Sequence, residues 1–234
     1  MDTDNKNQAN ENLRCEYCNK QYKQQVAFEK HLCEKKKRVL LREEKSTKLS
    51  LHLFNEFYRT QLNSLKQYSF DFFEKSPYYK AFIKFGEYCY NSKIIAADQF
   101  LQWLIKQNIP VDRWASDQQY NKFFIEYLRE EPAVDALERA IKYSIVWAEK
   151  KNMPSHVMLR YMTDLSLVYA IQNGKVSPWI LYMSKNGQKR LATLEGNYLD
   201  GVWEYIDPSA WNTIIANRKD EADYLKSLLI AGNW

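Results

Sequence analysis

The chain has 234 residues, 45% of them hydrophobic and 15% aromatic, with a formal net charge of +5. That content supports a sizeable core, and the length suits one medium domain with an appendage. No apolar run is long enough to span a bilayer, the polar start lacks a signal-peptide apolar region, and four cysteines do not suggest a secreted disulfide framework, so the expected setting is a reducing cytoplasm.

Residues 1–12 are Asn-rich and polar, and are expected to be a disordered tail. The next stretch concentrates the chemistry of the chain. It reads C-x2-C-x12-H-x-C from Cys15 through Cys18 and His31 to Cys33, taking three of the four cysteines and one of the three histidines. Two thiolates from one tight turn and an imidazole from a following helix are the donors a tetrahedral zinc ion takes. Zn2+ is therefore the expected cofactor, with Cys15, Cys18, His31 and Cys33 as ligands.

The segment 13–38 resembles the C2H2 zinc-finger family, in a variant C2HC form. That family carries an aromatic residue four positions after the second Cys, here Tyr22, and an apolar residue three before the first His, here Phe28. The resemblance implies a small ββα module whose miniature core these two side chains form. It departs from the family at the fourth ligand. The family places that ligand beyond three to five intervening residues, where this chain has Lys35, Lys36 and Lys37. Cys33 is the best substitute, yet two residues apart on an intact helix side chains point roughly 200° apart. The helix is thus expected to loosen or end near His31; otherwise three protein ligands are joined by a water or Glu34.

Charge is as localised as the thiols. Residues 1–66 hold fourteen Lys/Arg against nine Asp/Glu, whereas the rest holds twenty of each. The densest run is Lys35-Lys36-Lys37-Arg38, continued by Arg42, Lys45 and Lys48 in a basic linker or helix start over 39–48. Such a run suits a phosphate backbone; the competing reading is a solvated helix on which Glu34, Glu43 and Glu44 pair with the lysines. By the family's register, Gln24, Ala27 and Lys30 would face bases, but Ala27 offers only a methyl and one finger reads about three base pairs. Contact to the backbone through Lys23, Gln24, Lys30, Lys35, Lys36, Lys37, Arg38 and Arg42 is the expectation, with DNA preferred over RNA, or a protein partner in its place.

Beyond residue 48 the pattern reads as an all-α domain over 49–234. Ser46/Thr47 open a helix with an apolar stripe at Leu51, Phe54, Tyr58, Leu62 and Leu65. Ser76-Pro77 open one that faces Phe82, Phe85 and Cys89 inward. Asp98 starts a third, with Phe100, Leu101, Leu104 and Ile105. Asp117 starts a fourth, with Tyr120, Phe124, Tyr127 and Leu128. Pro132 opens a fifth, with Val134, Leu137, Ile141 and Ala148. One continuous helix is expected from Ser155 through Leu165 and Val168 to Asn173-Gly174. A short helix follows Ser177-Pro178 and ends at Asn186-Gly187, the stretch from Gly201 to Ile206 reads as a possible strand, and Asp207-Pro208 open a last helix broken near Asp220. The expected fold class is mostly α: a multi-helix globular body with a small N-terminal ββα zinc-finger-like module.

Signals for catalysis are weak. Phosphate loops and a nucleophile elbow are absent from the sequence. His52 reads as a boundary residue, His156 as a first-turn surface residue and Cys89 as a packed thiol. Asp112, Asp117, Glu126, Glu130, Glu131 and Glu138 are the carboxylates from which a two-metal nuclease site would have to be built, and Tyr78, Tyr79, Trp103 and Trp114 are the aromatics on which bases would stack. No catalytic residue and no small-molecule substrate is assigned. The string 31–38 together with Phe57-Tyr58-Arg59, Ser76-Pro77-Tyr78-Tyr79-Lys80-Ala81-Phe82 and Phe85-Gly86 resembles uncharacterised zinc-finger proteins of T4-like tailed phages, which implies a viral protein of the host cytoplasm or the virion. Two roles follow: a nucleic-acid-associated accessory protein whose body binds a protein partner, or a protein-interaction or virion-assembly component in which zinc is purely structural.

Overall fold

A computed structural model describes residues 13–234; the expected disordered tail over 1–12 lies outside the described residues. The described chain is helical and contains no strand. It divides into two compact units, one ending at Ser116 and one spanning Asp117–Trp234. Among the described residues no helix is long and apolar enough to cross a membrane.

The first unit holds α1 (Gln25–Glu29), α2 (Glu34–Leu41), α3 (Lys45–Leu62), α4 (Phe70–Phe73), α5 (Tyr79–Asn91) and α6 (Ala97–Lys106). Its backbone is the α3–α5 pair, and small residues set the spacing. Ser46, Thr47 and Ser50 are buried on α3, and a Cβ added at Gly86 of α5 would lie 2.8 Å from both the N and Cα of Ser50. The buried Ser50 hydroxyl is satisfied by donating to the carbonyl of Ser46 at 2.8 Å, as a hydroxyl out of water requires. Around this contact the aromatics interlock: Phe54 lies 4.9 Å from Phe73 and 5.5 Å from Phe82 between ring centroids. Trp114 is buried against Phe57, Phe82 and Phe85, and its Nε1 donates to the carbonyl of Ile109 at 2.8 Å.

Two expectations need correction here. The buried face of α3 runs through Thr47, Ser50, Leu53, Phe54 and Glu56, while Leu62 is exposed and Leu65, beyond the helix, is 91% exposed. A stripe drawn through the largest apolar residues missed the polar small ones that close packing prefers. Also, α5 starts at Tyr79 rather than Pro77, because the Ser76 hydroxyl accepts the Tyr78 amide at 3.2 Å in a turn that precedes the helix.

The second unit contains α7 (Asp117–Glu130), α8 (Ala133–Lys151), α9 (Met158–Tyr161), α10 (Asp164–Gln172), α11 (Pro178–Met183), α12 (Lys185–Thr193), α13 (Gly196–Asp200), α14 (Trp203–Ile206), α15 (Pro208–Asn217) and α16 (Lys219–Ala231). Its core centres on Trp179 and Trp211, both buried, with ring centroids 5.5 Å apart in edge-to-face contact. Helix α8 buries Ala133, Ala136, Leu137, Ala140, Ser144 and Trp147, whereas Ile141 is exposed; alanines let neighbouring helices approach. The continuous helix expected from Ser155 is split, because the Thr163 hydroxyl accepts the Ser166 amide and caps α10 anew. Leu165 is thereby turned out to 66% exposure. Asn186-Gly187 do not end a helix; the Ser184 hydroxyl accepts the Gly187 amide at 3.0 Å and starts α12 there. The expected strand 201–206 is instead α14, anchored by buried Val202 and Ile206.

A buried polar network ties the α7–α8 junction to the start of α11. Glu131 accepts from Arg139 Nη2 at 2.6 Å and from the Ser177 hydroxyl at 2.6 Å. Arg218 donates to the carbonyl of Glu131 at 3.0 Å and to Glu221 at 2.7 Å, and lies 4.9 Å from the Trp179 ring centre. Burial pushes the Glu131 carboxyl above the usual range, although Arg139 and Ser177 oppose the rise. This carboxylate serves structure.

Candidate metal centre and its basic surroundings

Cys15 and Cys18 sit in a turn that the backbone closes on itself. The Cys15 amide donates to the carbonyl of Lys20 at 2.9 Å, the Asn19 amide to that of Cys15 at 2.8 Å, and the Tyr22 amide to that of Leu13 at 2.8 Å. Asn19 takes a φ of 60°, a left-handed conformation that Asn tolerates better than most residues. Among the described residues a single isolated antiparallel bridge forms, between Arg14 and Gln21. The ββα module expected from the resemblance is therefore corrected: the loop returns too quickly for a ladder of strands, and a turn takes the hairpin's place.

The helix that precedes His31 is short. α1 ends at Glu29, with Lys30 as its cap, and the His31 amide donates to the carbonyl of Phe28 at 3.1 Å. Cys33 has extended backbone angles and caps α2, its sulfur accepting the Lys36 amide at 3.5 Å. The opposed directions that an intact helix would impose on His31 and Cys33 thus never arise, because they stand at the end of one helix and the start of the next. Tyr22 packs on Phe28 and His31, with ring centroids 6.0 and 4.8 Å away.

Cys15, Cys18, His31 and Cys33 bring their ligand atoms within 4.8 Å of one another, and among the described residues no other group of three or more such side chains gathers in this way. The sulfurs of Cys15 and Cys33 are 3.9 Å apart, and Cys18 Sγ is 3.2 Å from His31 Nε2. A tetrahedral zinc with bonds of about 2.3 Å to sulfur separates two sulfurs by about 3.8 Å, so the spacing fits a shared ion. The thiols behave accordingly. Burial of Cys15 opposes its ionisation, but hydrogen bonds from the Cys18 and Tyr17 backbone outweigh it and hold the thiol below its ordinary value. The Lys20 amide favours the Cys18 thiolate, yet desolvation and the neighbouring sulfurs prevail and push that thiol up. Crowding of sulfurs that resist ionising together is what a divalent cation relieves. Among the described residues, the carboxylates considered for a nuclease site form no group of three that could hold a metal ion.

The basic residues have separate fates. Arg38 donates to the carbonyl of Glu74 at 2.7 Å and lies over Tyr79, 4.5 Å from its ring centre. Arg42 faces Asp71 at 3.5 Å and Phe70 at 5.1 Å. Lys37 pairs with Glu34 and Lys48 with Glu43. Lys23, Gln24, Lys30 and Lys35 are exposed and Lys36 is half-buried. Lys75 and Lys80, which no local sequence pattern links to the metal segment, lie across from α2 on the rim of an open groove of about 540 Å3 that Lys35 and Arg38 also line. Only folding brings the two segments together.

Of the other candidates, His52 Nε2 lies 2.8 Å from Asp98 Oδ1 on the surface, and His156 is half-buried in the short turn 155–157. Cys89 is buried, and desolvation pushes its thiol up to about 12. Tyr79 and Trp114 are buried, so neither offers a free face for a base. No protein-family model, curated protein or solved structure matches the chain. The likeness to zinc-finger proteins of tailed phages therefore rests only on the residues that suggested it.

Proposed function

We propose that this is a zinc-binding accessory protein that holds nucleic acid by its phosphate backbone, with the metal acting as a structural clasp. The observation that carries the reading is the convergence of three sulfurs and one imidazole on a single point. That donor set suits zinc with all four positions filled by protein, which leaves the ion no open position for chemistry. Clasped in this way, α1 and α2 are held in one geometry, and Lys23, Lys30, Lys35 and Lys36 form no ion pair among the described residues. Their charges are available to a polyanion. Backbone contact rather than base reading follows from Ala27, whose methyl cannot donate or accept.

Elemental analysis and a mobility-shift titration at two salt concentrations test this together. One zinc per chain is expected, with binding to DNA or RNA that weakens steeply as salt rises and a shallower slope after replacing Lys23, Lys30, Lys35 and Lys36 by Ala. Absence of stoichiometric metal removes the clasp. Absence of any shift at low salt with duplex and single strands removes the nucleic-acid role.

A further inference from the structure

The groove beside α2 is built from two segments far apart in the chain, and its charge is one-sided. Lys35 and Arg38 come from α2, Lys75 and Lys80 from the turn after α4 and the start of α5, and Glu74 is the single acid on the lining. Lys35, Lys75 and Lys80 are exposed and form no ion pair among the described residues. Arg38 is held by the Glu74 carbonyl and the Tyr79 ring, while its Nε is buried with no hydrogen-bond partner. Three exposed, unpaired lysines and one anchored guanidinium therefore bound a cleft that also carries the flat side chains of Tyr17 and Pro77.

We infer that this groove seats a segment of single-stranded nucleic acid, the phosphates on Lys35, Lys75 and Lys80 and a base against Tyr17 and Pro77. The inference rests on the nucleic-acid reading above and names its site and strand state. Three arguments favour this ligand. Several cations contributed by two separate segments suit a ligand that carries more than one anion, as a strand backbone does. A volume of about 540 Å3 is of the size of small-ligand sites and has room for a nucleotide unit. Flat walls beside the charges give an unstacked base a surface, which a phosphorylated side chain would not need.

The test is fluorescence anisotropy of the zinc-loaded full chain with a labelled oligothymidylate, using Lys75→Ala/Lys80→Ala, with Lys106→Ala as a control on an exposed lysine outside the groove. The double variant should keep its zinc and its circular dichroism spectrum but lose about tenfold in affinity, roughly the worth of two exposed charge contacts. Its log–log salt slope should fall by about 0.7 for each lysine removed, and the control should match wild type. Wild-type binding with an unchanged double variant overturns the groove while leaving the broader reading intact. Duplex binding as tight as the single strand, or displacement of the oligonucleotide by a phosphopeptide at lower concentration than by unlabelled strand, overturns the choice of ligand. Failure of wild type to bind any nucleic acid overturns both.

Discussion

The guanidinium of Arg38 lies 4.5 Å from the centre of the Tyr79 ring and donates to the carbonyl of Glu74. One side chain thus joins the helix that follows the candidate metal ligands to the helical body of the first unit. A residue that reads in the sequence as one more cation in a basic run does its work by stacking and by filling a carbonyl lone pair. Arg38→Ala should lower stability by about 1–2 kcal/mol, combining a lost cation–π contact with a lost charge-assisted hydrogen bond. Arg38→Lys should recover little of it, because an ammonium cannot stack as a planar group does. Urea denaturation of both variants checks this; equal stability of wild type and R38A would contradict it.

Metal removal should be legible in the thiols. With metal bound, alkylation at neutral pH should spare Cys15, Cys18 and Cys33, and a chelator should expose all three. Cys89 should stay unmodified in both states, since it is buried with its thiol pushed up to about 12. Cys15→Ser should lose the metal and amide-exchange protection over 13–33 while the helices from α3 onward stay cooperative. Because protons compete with the ion for sulfur, affinity for metal should fall as pH falls. Mass spectrometry after pulsed alkylation reads the pattern, and early modification of Cys89 would contradict it.

In the second unit, removing one partner of a buried pair strands the other, so Glu131→Ala should cost about 3 kcal/mol or more. The pH dependence has a definite sign. Burial is the main cause that raises the Glu131 carboxyl, so the native state binds its proton at a pH where the unfolded chain has already released it. Its contribution is greatest below the ordinary carboxylate value and declines as pH rises through the folded value. Glu131→Gln has no such titration. The stability difference, wild type minus E131Q, should therefore shrink with rising pH across that window, measured by denaturant titration at a series of pH values; a difference that widens would refute the assignment.

Gly86 tests the packing of α3 on α5. A methyl there would meet backbone atoms of Ser50 at 2.8 Å, and backbone cannot turn aside as a flexible side chain can. Gly86→Ala should destabilise by about 2–3 kcal/mol despite the better helix propensity of Ala. A melting temperature at or above that of wild type would mean the two helices are free to separate.

The gathering of Cys15, Cys18, His31 and Cys33 into a cluster that could hold a metal ion was legible before any fold was known, because their spacing is local and thiol–imidazole chemistry depends little on the rest of the chain. The same holds for caps such as Ser177 before Pro178 and for the inward face of Phe82, Phe85 and Cys89, where a strong apolar period leaves one side of the helix to bury. Local signals failed where neighbours far along the chain decide. Ser50 is buried because Gly86 has no side chain, Leu165 is exposed because Thr163 restarts the helix, and Arg38 is drawn from solvent by Tyr79. The groove belongs to this second class: Lys35 and Lys80 face one cleft only once the chain has folded back, since charge acts through space and carries no periodicity that a linear pattern can register.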